Sequence, residues 1–311
     1  LVLPPPRQRT AMGGSGRGQH GGRVGGIAGV ARMSAPETFA IEGASAGIWR
    51  AAPSLNGART AAVGAFACET AKAGAGLLQH IAEKMRSEGF GAVLGPMDGD
   101  TWGRHRLVVE SDGRAPFLME PSNPACHVEA FELAGWSVVS RYLSAERPAD
   151  VLASATAAPP GLRLRTFEPA RAKEELAQIH RLSLETFSAN AFYAPISFEA
   201  FFEAYRPVLA AIDPGLVLLA EDGDGALQAF LFAIPNLAEG PGTRTVILKT
   251  YASRVKGGGS MLANAFHERA RDRGFGTVIH ALMHDSNLSA RHSGNTDAKV
   301  FRRYALWGQV F

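Results

Sequence analysis

The sequence predicts an α+β fold in two tandem units, a layered α/β sandwich, and three observations lead to it. Segments of strand character alternate with amphipathic helical ones through both halves. A stretch rich in Ala, Ser and Pro, SAERPADVLASATAAPPG over residues 144–161, separates the halves. Two spans also share one grammar. Gly74 to Gly89 and Gly259 to Gly274 each hold a helix and lead into a short strand, Ala92–Leu94 and Thr277–Ile279. That is the mark of a distant internal duplication.

Bulk properties bound the function. The chain has 311 residues, 46% of them hydrophobic, enough for a full core. No apolar run reaches the roughly 18 residues of a membrane span. The net charge of +3 sits largely in the N-terminal stretch, so a nucleic-acid partner is not indicated. The two cysteines, Cys68 and Cys126, have no metal-like spacing in sequence, and no metal is expected. A reducing, cytoplasmic setting fits them.

Residues 1–33 hold Pro4-Pro5-Pro6, nine glycines between Gly13 and Gly29, five arginines and no acid. Such a segment cannot bury enough surface to fold alone, so a disordered tail is expected. Three readings compete: a start placed upstream of a natural one at Met33, an Arg-rich transit peptide, and a nucleic-acid-binding arm. The first unit is set at 34–147. Arg59–Cys68 reads as a strand, Leu77–Met85 as a helix stopped by Gly89, Val128–Ala134 as a helix stopped by Gly135, and Trp136–Leu143 as a last strand. The linker is set at 148–161 and the second unit at 162–311. Its elements are a strand at Leu162–Phe167, helices at Glu174–Phe187 and Phe198–Leu209, and a hairpin about Asp222–Gly225. Strands at Thr245–Tyr251 and Thr277–Met283 follow, with a closing helix at Ala298–Leu306.

The most informative stretch is Thr245 to Gly276. A β-branched strand runs into Arg254-Val-Lys-Gly-Gly-Gly259, and a helix of apolar period then continues to Gly274. A glycine turn into a helix N-terminus exposes free amides at the positive end of the helix dipole, a place for phosphate or pyrophosphate. An ordinary strand-to-helix connection has the same appearance.

Order and spacing over residues 162–311 resemble the GCN5-related N-acetyltransferase superfamily. Arg254-Val-Lys-Gly257-Gly-Gly259 matches that family's Q/R-x-x-G-x-G/A loop, and Tyr304 with Gly308 matches its late Tyr-to-Gly motif. The resemblance implies mixed, mostly antiparallel twisted sheets and acetyl-CoA or another acyl-CoA as donor. It implies a donor site at Tyr251, Ala252, Arg254, Val255, Lys256, Gly257, Gly258, Gly259, Ser260 and Asn287. The implied reaction is direct attack of an amine on the thioester in a ternary complex, with Tyr304 as general acid.

The base departs from the family pattern, because Thr245–Ser253 carries no carboxylate. His280 and His284, which strand alternation puts on one face, and Glu185 are the candidates; each His could equally be structural. Asn287 stands seventeen residues before Tyr304 where the family has about seven, and Asn295 is nearer. Arg291, His292, Lys299, Arg302 and Arg303 could hold a 3′-phosphate or form a solvated face.

Residues 59–143 resemble a degenerate copy. Glu69 and Lys72 replace loop residues, and Phe131 is aligned with Tyr304. Its polar segment Gly95–Arg106 resembles a GP-(D/N)-G-x-T-W segment of the same superfamily. Asp98, Asp100 and Trp102 there could hold an amine, or form a salt-bridged loop. The expected acceptor is a small-molecule or protein amine, with no membrane partner, and a homodimer is left open. A non-catalytic acyl-CoA sensor is the rival function.

Overall fold

The halves do not fold side by side, because each surrenders its last strand to the other. In the computed structural model, which describes residues 35–150, 158–206, 209, 212–286 and 298–311, the strands form one twelve-stranded sheet. The first half contributes β1 (Glu37–Ile41), β2 (Ala44–Trp49), β3 (Thr60–Cys68), α1 (Ala71–Ser87), β4 (Ala92–Gly95), β5 (Leu107–Ser111), α2 (Ala125–Leu133) and β6 (Ser137–Pro148). The second contributes β7 (Arg163–Thr166), α3 (Ala172–Phe187), α4 (Phe198–Tyr205), β8 (Val217–Glu221), β9 (Leu227–Pro235), β10 (Thr245–Ser253), α5 (Gly258–Asp272), β11 (Thr277–His284) and β12 (Lys299–Val310). The strand order is β1-β2-β3-β4-β12-β6-β11-β10-β9-β8-β7, with β5 also on β12.

The expected duplication is visible in the backbone. β3 and β10 are both nine residues long and feed helices that return to parallel strands, β4 and β11. Gly89, Gly135 and Gly274, expected as helix stops, all have positive φ (76°, 79° and 81°). The final strands are exchanged. β12 pairs β4 with Val310 opposite Ala92, and β6 pairs β11 with Pro148 opposite Thr277. β6 and β12 run antiparallel at the centre, where Tyr142 faces Tyr304.

Three expectations are thereby corrected. Residues 298–306 form no helix but open β12; this strand is buried on both faces over most of its length, so its apolar residues carry no strand alternation. The tails Phe131–Gly135 and Tyr304–Gly308 are not equivalent, one being helix and the other strand. The counterpart of Tyr304 is Tyr142. Residues 144–148 are no linker, because β6 continues through them beside β11.

Packing follows the strand faces. Leu77, Leu78, Ile81 and Met85 of α1 pack with Val63, Val93 and Trp307. Leu262, Phe266 and Ala270 of α5 pack with Val246, Leu248 and Val278. Leu176, Leu182 and Phe201 of α3 and α4 pack with the alternate residues Val217, Leu219 and Phe230 of the opposite face. Each such side chain, fully buried, contributes about 1.5–3 kcal/mol. Among the described residues no helix is long and apolar enough to cross a membrane.

A fragment of residues 160–311 lacks β6, so β11 and β12 lose their shared central ladder. It is expected to aggregate or to melt without a cooperative transition, whereas residues 35–311 unfold cooperatively. Thermal circular dichroism with size-exclusion chromatography checks this, and a soluble, cooperatively folding monomeric fragment would contradict the exchange.

Candidate active site

The second half has an open splay between β10 and β11. Their parallel register runs from Thr245 opposite Thr277 to Leu248 opposite His280. Beyond it, Thr250–Ser253 pair with β9 after a bulge at Lys249, and β11 turns to β6 through a bulge at Leu282, whose φ is 56°. The strands part there, and Arg254–Gly257 lead from β10 into α5.

The loop meets the requirements of a phosphate cradle. Gly257 is the N-cap of α5 at φ 86°, and no side chain caps the helix. A helix N-terminus presents its unpaired amides to an anion. A Cβ on Gly259 would meet the Tyr251 ring at 3.2 Å, and one on Gly258 would collide with Ser253 Oγ. Ser253 Oγ accepts the Val255 amide at 3.1 Å and donates to the Val255 carbonyl at 2.8 Å, which fixes the turn. Ala252 is buried among the α3 and α4 contacts, and Lys256 and Ser260 flank the glycines. Arg254 pairs with Glu185 at 2.8 Å, so Glu185 is engaged by the loop rather than free as a base.

The same place in the first half is closed. The Met97 amide donates to Val63 O at 2.8 Å, and Asp98 Oδ1 accepts the Ala65 amide at 2.6 Å. The segment after β4 thus zips onto β3 and fills the splay, pressing on Gly64, which has no room for a Cβ. The Thr70 hydroxyl caps α1 through the Ala73 amide. This corrects the proposed amine site. Asp98 holds a backbone amide, and Asp100 Oδ1 accepts the Trp102 amide at 2.8 Å. The Trp102 indole donates to Ala194 O at 2.8 Å and its ring lies edge-on to Phe201. Burial pushes both carboxyls above their ordinary range. The segment anchors the first half on the α3–α4 layer.

The histidines separate. His280 pairs with Ala145 and His284 with Tyr142, three residues apart on β6 and so on opposite faces; the Leu282 bulge overturns the simple alternation. His280 faces α5, its Nε2 3.3 Å from that of His267. Burial, then the neighbouring His267 and Arg147, drive its pKa down to about 3, which suits a neutral structural imidazole and not a base for an ammonium. His284 Nδ1 accepts from the Ser286 hydroxyl at 2.8 Å, and its ring sits edge-on to Tyr142.

Tyr304 is fully buried on β12 rather than exposed to the cleft. Its hydroxyl donates to Glu120, and Ser144 Oγ lies 3.0 Å away. Ser144 Oγ in turn accepts the Leu282 amide at 3.2 Å. Burial, and then the Glu120 charge, push the phenol well above its ordinary range. Arg302, expected at a phosphate, instead donates to Glu120 Oε2 at 2.9 Å with its side chain 3% exposed, and Arg303 pairs with Glu110. Asn287, Arg291, His292 and Asn295 lie outside the described residues.

A carboxylate does stand where the strands part, and it comes from the other half. The Glu120 side chain is fully buried. It accepts the Phe117 amide at 3.0 Å, Arg302 and Tyr304. Burial raises its pKa against the pull of Tyr304, the Phe117 amide, Arg302 and Lys249. Lys249 follows the last β10–β11 pair, with Nζ 5.9 Å from the Phe117 ring centroid. Part of its stem is exposed, but Nζ is buried without a hydrogen-bond partner. Burial and then the Arg106 charge lower its pKa to about 8. The buried Arg106 guanidinium lies 4.0 Å over the Tyr142 ring and donates to Leu282 O at 3.4 Å. Lys249 was legible as a charge amid an apolar strand; nothing in Phe117-Leu-Met-Glu120 marked Glu120.

No family model and no curated protein matches the sequence. Solved structures do resemble the fold. A GCN5-related N-acetyltransferase from Sphaerobacter thermophilus aligns at TM-score 0.54 and 16% identity, over 86% of this chain and 76% of that one. An Enterococcus faecalis V583 protein of unknown function, described as a probable N-acyltransferase, aligns at TM-score 0.51 and 7% identity, over 86% of this chain and 59% of that one. The chain has the GCN5-related N-acetyltransferase fold.

The Lys249 charge opposes folding where it lies. Its folded pKa, about 8, is below the ordinary value. The penalty is therefore complete below pH 8 and fades as pH rises toward about 10.4. Lys249→Met is expected to stabilise the chain by roughly 3 kcal/mol at pH 7 and by under about 1 kcal/mol at pH 10. Urea denaturation of both proteins at the two pH values checks this.

Proposed function

We propose that the second half binds an acyl-CoA and transfers its acyl group to an amine. The observation that carries this is the contrast between the two copies. β10 and β11 part beside an uncapped glycine N-terminus, whereas β3 and the segment after β4 are zipped shut beside a capped one. The open copy suits a pyrophosphate on the amides of residues 256, 257, 259 and 260, the Gly258 amide being bonded to the Val255 carbonyl, and a thioester arm between the strands. The closed copy has room for neither.

Glu120 is the proposed base. Because its side chain is buried, it takes a proton from the substrate ammonium by way of water; the free amine forms the new C–N bond at the thioester carbon, and the C–S bond breaks. The nitrogen loses its second proton as the amide forms, and an ordinary thiol pKa of about 8.5 lets the leaving thiolate accept that proton through water. Tyr304 and Arg302 act as positioning residues that hold the carboxylate. Burial raises the Glu120 pKa above its ordinary value, the direction that makes a carboxylate a stronger base.

Arg106 and Lys249 bear on the acceptor. Lys249 feels the Glu120 charge, Arg106 acts on Lys249 and lies near Tyr304, and neither has a carboxylate ion-pair partner among the described residues. Buried charge without a counter-ion is costly. An acceptor that carries a carboxylate next to its amine would supply one.

Calorimetry with acetyl-CoA is expected to show binding to the wild type, and at least a 100-fold loss in Gly257→Glu. Absence of binding to wild type would sink the assignment. In a thiol-release assay over amines, Glu120→Gln is expected to lower kcat by about 10²–10⁴ and to abolish the acidic limb of the pH profile, with acetyl-CoA affinity kept. Amino acids should outpace their carboxamides as acceptors, a preference that Lys249→Met removes.

A further inference from the structure

The chain has two cysteines in 311 residues, and the fold brings them together. Cys68 ends β3, and Cys126 lies in the first turn of α2. Their sulfurs are 3.9 Å apart. His127 follows Cys126, and one nitrogen of its ring and both sulfurs all lie within 4.8 Å of one another. All three side chains are partly exposed, so an ion can reach them from solvent. The nearness was invisible in sequence, where 58 positions separate the two thiols.

The spacing suits a shared ion. Tetrahedral zinc with Zn–S bonds of about 2.3 Å separates two sulfurs by roughly 3.8 Å. A disulfide would require them to close to about 2 Å. The framework around the group is firm. The His127 ring stands edge-on to Phe66 at 5.1 Å, and Phe66 in turn to the buried Phe131 at 5.3 Å. Gly74 of α1 lies so close that a Cβ there would meet Cys68 Sγ at 2.9 Å. β3, α1 and α2 therefore converge on the sulfurs.

We propose that Cys68, Cys126 and His127 form a three-ligand site for Zn²⁺, with the fourth position open to water. Two S–H bonds break, two Zn–S bonds form and two protons are released. The imidazole binds through its lone pair without losing a proton. Cys68 takes the place that Ser253 holds in the second half, where the serine frames the glycine loop. The closed copy carries a clamp for a cation at the position of the open copy's cradle for an anion.

The test uses the full chain, reduced and freed of metal by a chelator, titrated with Zn²⁺ and with Co²⁺ at pH 7.5. One ion per chain, about two protons released, thiolate-to-cobalt absorption and a raised melting temperature are expected. Cys126→Ser and His127→Gln should each weaken binding at least tenfold. Wild type binding no more metal than Cys126→Ser would overturn the proposal. So would an unchanged affinity in both variants, or recovery of a Cys68–Cys126 disulfide from protein purified under reducing conditions.

Discussion

The antiparallel pairing of β6 with β12 is the interaction on which the rest depends. Each strand is last in its own half, and each fills the gap beside the other half's parallel strand. The sheet is continuous only because of this exchange. It also sets the chemistry, since Ser144 arrives on β6 and Arg302 and Tyr304 on β12, at the point where β10 and β11 separate. The carboxylate they hold, Glu120, belongs to the loop between β5 and α2. One functional cluster is thus assembled from both copies.

Divergence between the copies has a simple physical form. Corresponding strands carry Gly64 in one half and Lys249 in the other. The glycine lets Met97 and Asp98 bond directly onto β3. The lysine stands at a splay that no such segment closes among the described residues. Corresponding amides, of Met97 and Leu282, turn to opposite sides, one to its own β3 and the other to Ser144 on the exchanged strand. The closed copy therefore differs from the open one by hydrogen bonds that are satisfied within it. The open copy keeps an uncapped helix and an ammonium without a hydrogen-bond partner, features that cost stability.

Much of this architecture was legible in the sequence. Helix stops at Gly89, Gly135 and Gly274 and the hairpin at Asp222–Gly225 were local signals, and local backbone geometry honours them. The glycine loop was legible for the same reason. The exchange was not. β12 is buried on both faces, so Val300 to Trp307 carry apolar residues at helical as well as strand spacing. Asp98, Asp100 and Trp102 showed polarity but not partners; those of Asp98 and Trp102 are backbone groups far along the chain, and that of Asp100 is the Trp102 amide. Two one-residue bulges moved His284 off the face of His280 and put Lys249 at the splay, and periodicity cannot foresee a bulge. Glu120 reached the cluster through tertiary contact alone.

The exchanged strand has a further consequence, for the order of assembly during synthesis. Residues 299–310 are translated after every other described strand, yet β4 and β6, far upstream, need β12 as a neighbour. The first half cannot complete its sheet while the ribosome is still making the second. Long-range pairing of this kind is slow and leaves unpaired edges exposed in the interval. The nascent chain must therefore hold an unfinished sheet for more than half of its synthesis. That favours a cell in which holding chaperones meet the first half before β12 emerges.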